Sequence, residues 1–290
     1  QTRSMIEQLL QFLDLVAQGL SPGRSIANGD AEIVVAGGAE SLSNAPWRVA
    51  KPKSVYHTPH FIGLEPTAFE RHDVPQPIQA AETLAERHQI SRAAQDAFTM
   101  KSHLRAQTAR EARRFVGEIV PMRGNREEAR DESATGASLE DIEAAPSYCP
   151  PDGSATMANT SQPHDGAAIV VVVSEAVWQR LGQPPALKLL GSAAEGVAPE
   201  LEAEAPIAAM RKLDARLNGY DRSRIRAVEL GESSSAQAIA MMSALGIDDG
   251  VLNAEGGAVV RGHPLGAAGA VLVVRLFTRL LRRNPDVREG

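Results

Sequence analysis

A run of seven small and β-branched residues, Ala167 to Val173, sets the first limit on how this chain can fold. It is far shorter than the roughly 20 residues a membrane helix needs. Its length and β-branching read as a buried strand. Directly after it, Ser174 is placed to cap a helix that opens "EAVWQRLG". The strand-then-helix unit recurs along the chain. "AEIVVAGG" reads as a short strand, Ile33 to Ala36, that ends on a glycine pair, and "GEIVPM" as another. "PALKLLGSAAEG" opens a second strand-rich half, and "DRSRIRAVELGESSSAQAIAMMSALG" runs strand, loop, helix. Strands alternating with helices predict an α/β fold with largely parallel or mixed sheets.

The helices carry their own signals. Ile6, Leu9, Leu10, Leu13, Val16 and Leu20 fall at helical spacing, and the "SPGR" that follows stops that helix. Ser91 is a good N-cap for the clearest helix, whose face of Ala94, Phe98, Ser102 and Ala106 is small or apolar. Residues 44 to 80 are rich in Pro and His and aperiodic, a surface excursion of a length that is uncommon unless it binds something. Residues 123 to 150 are acidic, polar and irregular.

Composition narrows the function classes. Of 290 residues 43% are hydrophobic but only 4% aromatic, so a sizeable core must be built from aliphatic side chains. The formal net charge of −6 argues against a nucleic-acid surface. One cysteine, Cys149, excludes an internal disulfide framework and a cysteine zinc site. With no leader pattern and no apolar run of membrane length, the expectation is a cytoplasmic protein without a membrane span or a metal.

Three stretches could carry chemistry. In "EGGAVVRGHPLGAAGA", residues 255 to 270, His263 stands between Gly262 and Pro264 ahead of small residues that permit close helix packing. Two readings are open: a histidine on the rim of a packing helix, or an imidazole held at a helix start, with Pro264 as first helical residue and the helix dipole keeping the ring neutral. In "MANTSQPHDGAAIVVVVSE", Asn159, Thr160, Ser161 and His164 precede the buried strand, either as a turn or as a loop offering hydroxyls and N–H groups to a ligand. In "VVAGGAESLSNAPW" the glycine pair reads as a turn. There is also a faint internal echo: "AEIVVAGGAESLS" and "RAVELGESSSAQ" both run strand, glycine, acid, serine.

Taken together, "AGGAESLSNAPW", "NTSQPHDGAA" with "VVSE", and "GGAVVRGHPLGAAGA" resemble the thiolase family in order and context, as does "AETLAERHQISRAAQDAFTMKSH" followed by "GEIVPM". The resemblance runs from Gly29 to Arg283. It implies two similar α/β halves, each a mixed sheet, stacked in five α-β-α-β-α layers. The expected division is residues 1–43 as part of the N-terminal half, 44–155 as a loop domain over the CoA site, 156–183 as the return to the N-terminal half, and 184–290 as the C-terminal half. It implies acyl transfer on CoA thioesters, by thiolytic cleavage or Claisen condensation, with CoA or acyl-CoA as substrate, no further cofactor, and a homodimer or homotetramer.

The resemblance also assigns residues. His263 matches the activating histidine, and Ser161 a serine that touches the pantetheine arm of CoA, with Asn159 in the same loop. The family's "NEAF" box aligns with "GESS", so Gly231 stands for an asparagine that holds an oxyanion-site water, and Glu232 is kept as a catalytic candidate. The chemistry needs a thiolate. The expected nucleophile position holds Gln11, Phe12 and Leu13, and the second cysteine would follow Gly290, so the chain is read as truncated or altered at both ends. Cys149 in "PSYCPPDG" has no obvious base. Two other readings are a thiolase-like acyl-CoA-binding or partner-subunit protein without turnover, and a ketoacyl-synthase relative, which again wants a cysteine.

Overall fold

The computed structural model describes residues 22–47, 49–52, 54, 56, 58, 77–121, 131, 136–217 and 220–283. The helix expected over residues 5 to 20 lies outside them, as do much of the 44–80 excursion and most of 122–135. In chain order the regular elements are α1 (Pro22–Ala27), β1 (Ile33–Glu40), α2 (Pro77–Arg87), α3 (Arg92–Glu111), α4 (Leu139–Ala144), β2 (Gly166–Val173), α5 (Glu175–Arg180), α6 (Ala205–Arg216), α7 (Ser235–Leu245), α8 (Ala258–Arg261) and α9 (Ala268–Phe277).

Serines start four of these helices by accepting a backbone N–H that has no partner within the helix. Ser91 accepts from Ala94 N at 3.2 Å and Ser174 from Val177 N at 3.3 Å, as the sequence led one to expect. Ser138 forms a reciprocal capping box with Asp141 on α4, and Ser234 accepts from Gln237 N at 3.2 Å on α7. Gly246, at φ 64°, ends α7 in the left-handed conformation that favours glycine.

The main core surrounds α7. That helix carries Ala236, Ala238, Ala240, Met241 and Leu245 in the interior, against Ala80, Leu84 and Ala85 of α2, Phe98 of α3, Ile207 of α6, and Leu230 and Leu252 from the flanking loops. A helix apolar nearly all round needs such full enclosure. On α3, Phe98, Ser102 and Ala106 are buried as expected, but Ala94 is exposed. The buried face extends instead over polar Gln95, Asp96 and Thr99, each with a partner: Ser154 Oγ, the Arg92 guanidinium and the Ser235 hydroxyl. Buried polar groups are tolerated when their hydrogen bonds are made.

β1 and β2 form an antiparallel ladder from Ile33 opposite Val173 to Glu40 opposite Gly166. Two sequence expectations need correction here. The glycine pair does not end the strand: β1 runs through Gly37 and Gly38. A Cβ on Gly38 would overlap the carbonyl oxygen of Gly266, so the glycine permits close backbone approach rather than a turn. Second, among the described residues this antiparallel pair is the one regular sheet. Where "GEIVPM" is expected as a strand, residues 116–119 make a tight turn with a lone bridge between Val116 and Ile119. "RAVEL" pairs through Val228 alone, in parallel with Leu252, and "PALKLLG" makes no ladder and leaves Leu189 and Leu190 exposed. A strand is completed by its neighbour's N–H and C=O groups, and those segments meet too few of them.

α9 packs across one face of the ladder. On the other face Ile33, Val35, Ile169 and Val171 are 56%, 60%, 68% and 63% exposed.

Candidate active site

Three loops converge next to the main core. Thr160 bridges Ser234, and Ser161 N donates to Ser233 O at 3.0 Å, which joins the loop after the 154–158 turn to the start of α7. Pro163 bridges His263 in parallel, with His263 N donating to Gln162 O at 2.8 Å. Residues 159–164, 231–235 and 262–264 are thereby held as one surface. Ser161, Gly231 and His263 are each half-buried on it. A Cβ added to Gly231 would lie 3.9 Å from His263 Cε1 and 3.5 Å from Leu272 Cδ1, so that glycine faces the imidazole directly.

The backbone of His263 is set by what packs around it. Gly262 closes α8 at φ 81°, and a Cβ there would overlap the His164 ring. His164 in turn donates from Nδ1 to Gln162 O at 3.0 Å, since a carbonyl can only accept. The expected helix start is corrected. α9 begins at Ala268, and Pro264 serves through its carbonyl, which accepts from Ala267 N and Ala268 N at 2.8 Å. His263 therefore follows the C-terminus of α8 rather than opening α9. A C-terminal dipole would favour a charged ring. The imidazole nevertheless has its proton affinity drawn below the ordinary histidine value, and the cause is burial.

Glu232 does not face the shared surface. It is fully buried, with Oε1 accepting from Asn253 Nδ2 at 2.6 Å and Oε2 from Val259 N at 3.2 Å. Burial pushes its carboxyl up to about 7, against the pull of those two donors. Asn159 is also fully buried. Its oxygen accepts from Thr156 N, and its amide donates to Asp96 Oδ1 at 3.2 Å and Ser154 O at 3.0 Å, so its polar atoms are spent shaping the loop. Glu82 holds the same loop by accepting from Ser154 N, Ser154 Oγ and Ala155 N.

Cys149 lies in a different turn. Its N–H donates to Ser147 Oγ at 3.0 Å and its carbonyl accepts from Gly153 N at 2.8 Å. The guanidinium groups of Arg261 and Arg275 lie on the Phe115 ring at 4.8 Å each, and Arg275 pairs with Glu118 and Glu255. That buried cluster ties residues 115–118 to α8 and α9. A groove of about 310 Å³ beside α3 carries Lys101, Arg105 and Arg114, but all three cations are paired, with Asp249 or Glu255. Among the described residues no helix is long and apolar enough to cross a membrane.

Sequence reading missed Gln162, whose carbonyl serves both histidines, and Asn253, whose amide bridges Leu230 and Glu232. It also missed Glu40, whose Oε2 accepts from Gly266 N at 3.1 Å. Only Glu40 left a trace in the sequence, as the acid of the internal echo.

Comparison with known proteins gives the family. Residues 20–176 match the family described as "Thiolase, N-terminal domain", and residues 183–288 "Thiolase, C-terminal domain". The β-ketoadipyl-CoA thiolase of Pseudomonas putida is 35% identical over 273 residues, covering 89% of this chain and 68% of the relative. The acetyl-CoA acetyltransferase of Schizosaccharomyces pombe is 33% identical over 275 residues, covering 91% of this chain and 69% of the relative. The structure of human mitochondrial 3-ketoacyl-CoA thiolase in complex with CoA is similar, with a TM-score of 0.81 and 28% identity over 94% of this chain and 69% of that one. The chain thus spans about two thirds of the length of these relatives, and along that length it has the thiolase fold. It belongs to the thiolase family, whose reaction is the thiolytic cleavage or condensation of acyl-CoA thioesters and needs no cofactor beyond the CoA substrates.

Proposed function

We propose that this chain holds an acyl-CoA thioester on the surface shared by residues 159–164, 231–235 and 262–264, with His263 directed at the thioester carbonyl oxygen. The observation that carries the reading is the pairing of His263 with the Gln162–Pro163 backbone, which sets the imidazole beside the Ser161 loop. Burial disfavours the charged ring, and the imidazole N–H can donate one hydrogen bond to an oxygen that gains negative charge. Such a donor is typically worth roughly 3 kcal/mol in an active enzyme. Ser161 offers its hydroxyl to the pantetheine arm, and Gly231 leaves room next to the imidazole.

Acyl transfer by the family route needs a thiolate beside this histidine. The 290 residues contain one cysteine, and Cys149 sits in its own turn, bonded to Ser147 and Gly153. In this reading the 290-residue chain binds acyl-CoA without forming an acyl-enzyme. Incubation with radiolabelled acetyl-CoA, followed by denaturing separation, is expected to leave the protein unlabelled, while calorimetry detects binding. His263→Ala should weaken that binding with an unchanged melt. Stoichiometric protein-bound label would overturn the reading.

The proposal includes a cytoplasmic setting, consistent with a single unpaired cysteine, and residues 44–155 as the domain over the CoA site. It also includes a homodimer or homotetramer, for which the exposed apolar face of β1 and β2 is the support. A monomer in sedimentation equilibrium at micromolar concentration would remove that last part.

A further inference from the structure

The segment that carries His263 is gripped on both sides by carboxylates from the two echoing stretches. Upstream, Glu232 Oε2 accepts from Val259 N at 3.2 Å, at the first turn of α8. Downstream, Glu40 Oε2 accepts from Gly266 N at 3.1 Å, three residues past the imidazole. At both ends glycine clears the way. A Cβ on Gly257 would overlap the Glu232 carboxylate, and one on Gly38 would overlap the Gly266 carbonyl.

The two grips differ in what they ask of the acid. The grip of Glu40 runs through a backbone donor to one oxygen, Gly266 N to Oε2. That of Glu232 uses both oxygens, and both donors are fixed. Val259 N belongs to the backbone. Asn253 cannot turn its amide over, because its Oδ1 already accepts from Leu230 N at 2.8 Å and its Nδ2 donates to Leu230 O at 3.0 Å. Glu232 also lies next to Gly231, the residue that faces His263 Cε1. The same carboxyl therefore ties the Gly231 stretch to the α8 stretch.

We infer that Glu232 and Glu40 are a pair of positioning residues that set His263 against Gly231, the site's candidate substrate-facing position, by clamping residues 259 to 266 from opposite ends. The consequence for acyl-CoA rests on His263 being a site residue; the clamp itself does not. The chemistry predicts an asymmetry between conservative variants. In Glu40→Gln the amide oxygen can still accept from Gly266 N. In Glu232→Gln one oxygen becomes an NH2 group that must face either Asn253 Nδ2 or Val259 N, and a buried donor against a donor is costly.

The test uses the full chain, with ring-labelled histidines and the His263 Cε1–H resonance assigned through His263→Gln. Spectra are taken at pH 8, and CoA binding is measured by calorimetry on the same samples. Glu40→Gln is expected to reproduce the wild-type resonance. Glu40→Ala and Glu232→Gln are each expected to move it, with CoA binding weakened at least tenfold. If both variants fold and leave the resonance in place, the clamp is overturned, whatever happens to CoA. A moved resonance with unchanged CoA binding upholds the clamp and overturns the acyl-CoA reading of His263 instead. Should Glu232→Gln not fold, the half-buried Glu40 pair decides the matter, since equal shifts in Glu40→Gln and Glu40→Ala would sink the inference.

Discussion

In "AEIVVAGGAESLS" every residue from Ile33 to Glu40 pairs with β2, whereas "RAVELGESSSAQ" makes only two isolated bridges, Val228 with Leu252 and Ser234 with Thr160. The two stretches are spelled alike and both carry, after the glycine, an acid that accepts a backbone N–H near His263. Their surroundings differ. The first has α9 on one side and, among the described residues, an exposed face on the other; the second runs straight into α7 at the centre of the core. The difference teaches that the strand-glycine-acid-serine pattern specifies a connection to the histidine segment rather than a sheet. Whether a ladder forms depends on what lies alongside.

Four measurements would break or sharpen that contrast. The largest effect is expected at Leu252, fully buried and the bridge partner of Val228. Leu252→Ala should cost about 3.5 kcal/mol in denaturant unfolding. A cost below about 1 kcal/mol would mean that the second stretch is not set in a packed core. Next comes the acid of that stretch. The folded pKa of Glu232, about 7, lies above its ordinary 4.5. Between those values the folded chain keeps a proton that the unfolded chain has released, so stability falls as pH rises through that window and levels off above it. Relative to Glu232→Gln, wild type should lose roughly 3 kcal/mol from pH 4.5 to above 7. A gain over the same range would reverse the assignment of burial as the dominant cause.

Gly38→Ala should cost about 2 kcal/mol, because the new methyl meets backbone and not a movable side chain. A neutral substitution would show that β1 and the Gly266 turn stand further apart in solution. The smallest effect is expected on the exposed face. Val35→Ala, at 60% exposure, should change stability by less than about 0.5 kcal/mol. A loss comparable to Leu252→Ala would show that the face is covered in solution.

Local chemistry makes some of this readable from sequence. Ser91 and Ser174 are legible as caps because the cap and the N–H it satisfies lie three residues apart. The seven-residue run before Ser174 is legible as a strand for the same reason of locality. The glycine pair is not legible. Gly38 answers to Gly266, more than two hundred residues away, and Gly37 to the Ala168 carbonyl across the ladder, and nothing near the pair announces either contact. The helix start misleads because Pro264 suits a first helical position, yet here it caps a turn with its carbonyl. His263 and Ser161 can be named from motifs. The sealing of Glu232 and Asn159 cannot, since polar residues enter the interior only where distant donors and acceptors happen to meet them.

The contact between Gly38 and Gly266 has a consequence for how such a chain can vary. Most tight fits in a core join two side chains, and a larger residue on one side can be answered by a smaller one on the other. Here the obstructing atom is a peptide oxygen, which every amino acid at position 266 would carry. A suppressor of Gly38→Ala therefore has no side chain to trim at the contact. It would have to arise where it can displace a whole stretch of backbone, and the nearest such stretch ends in the histidine itself.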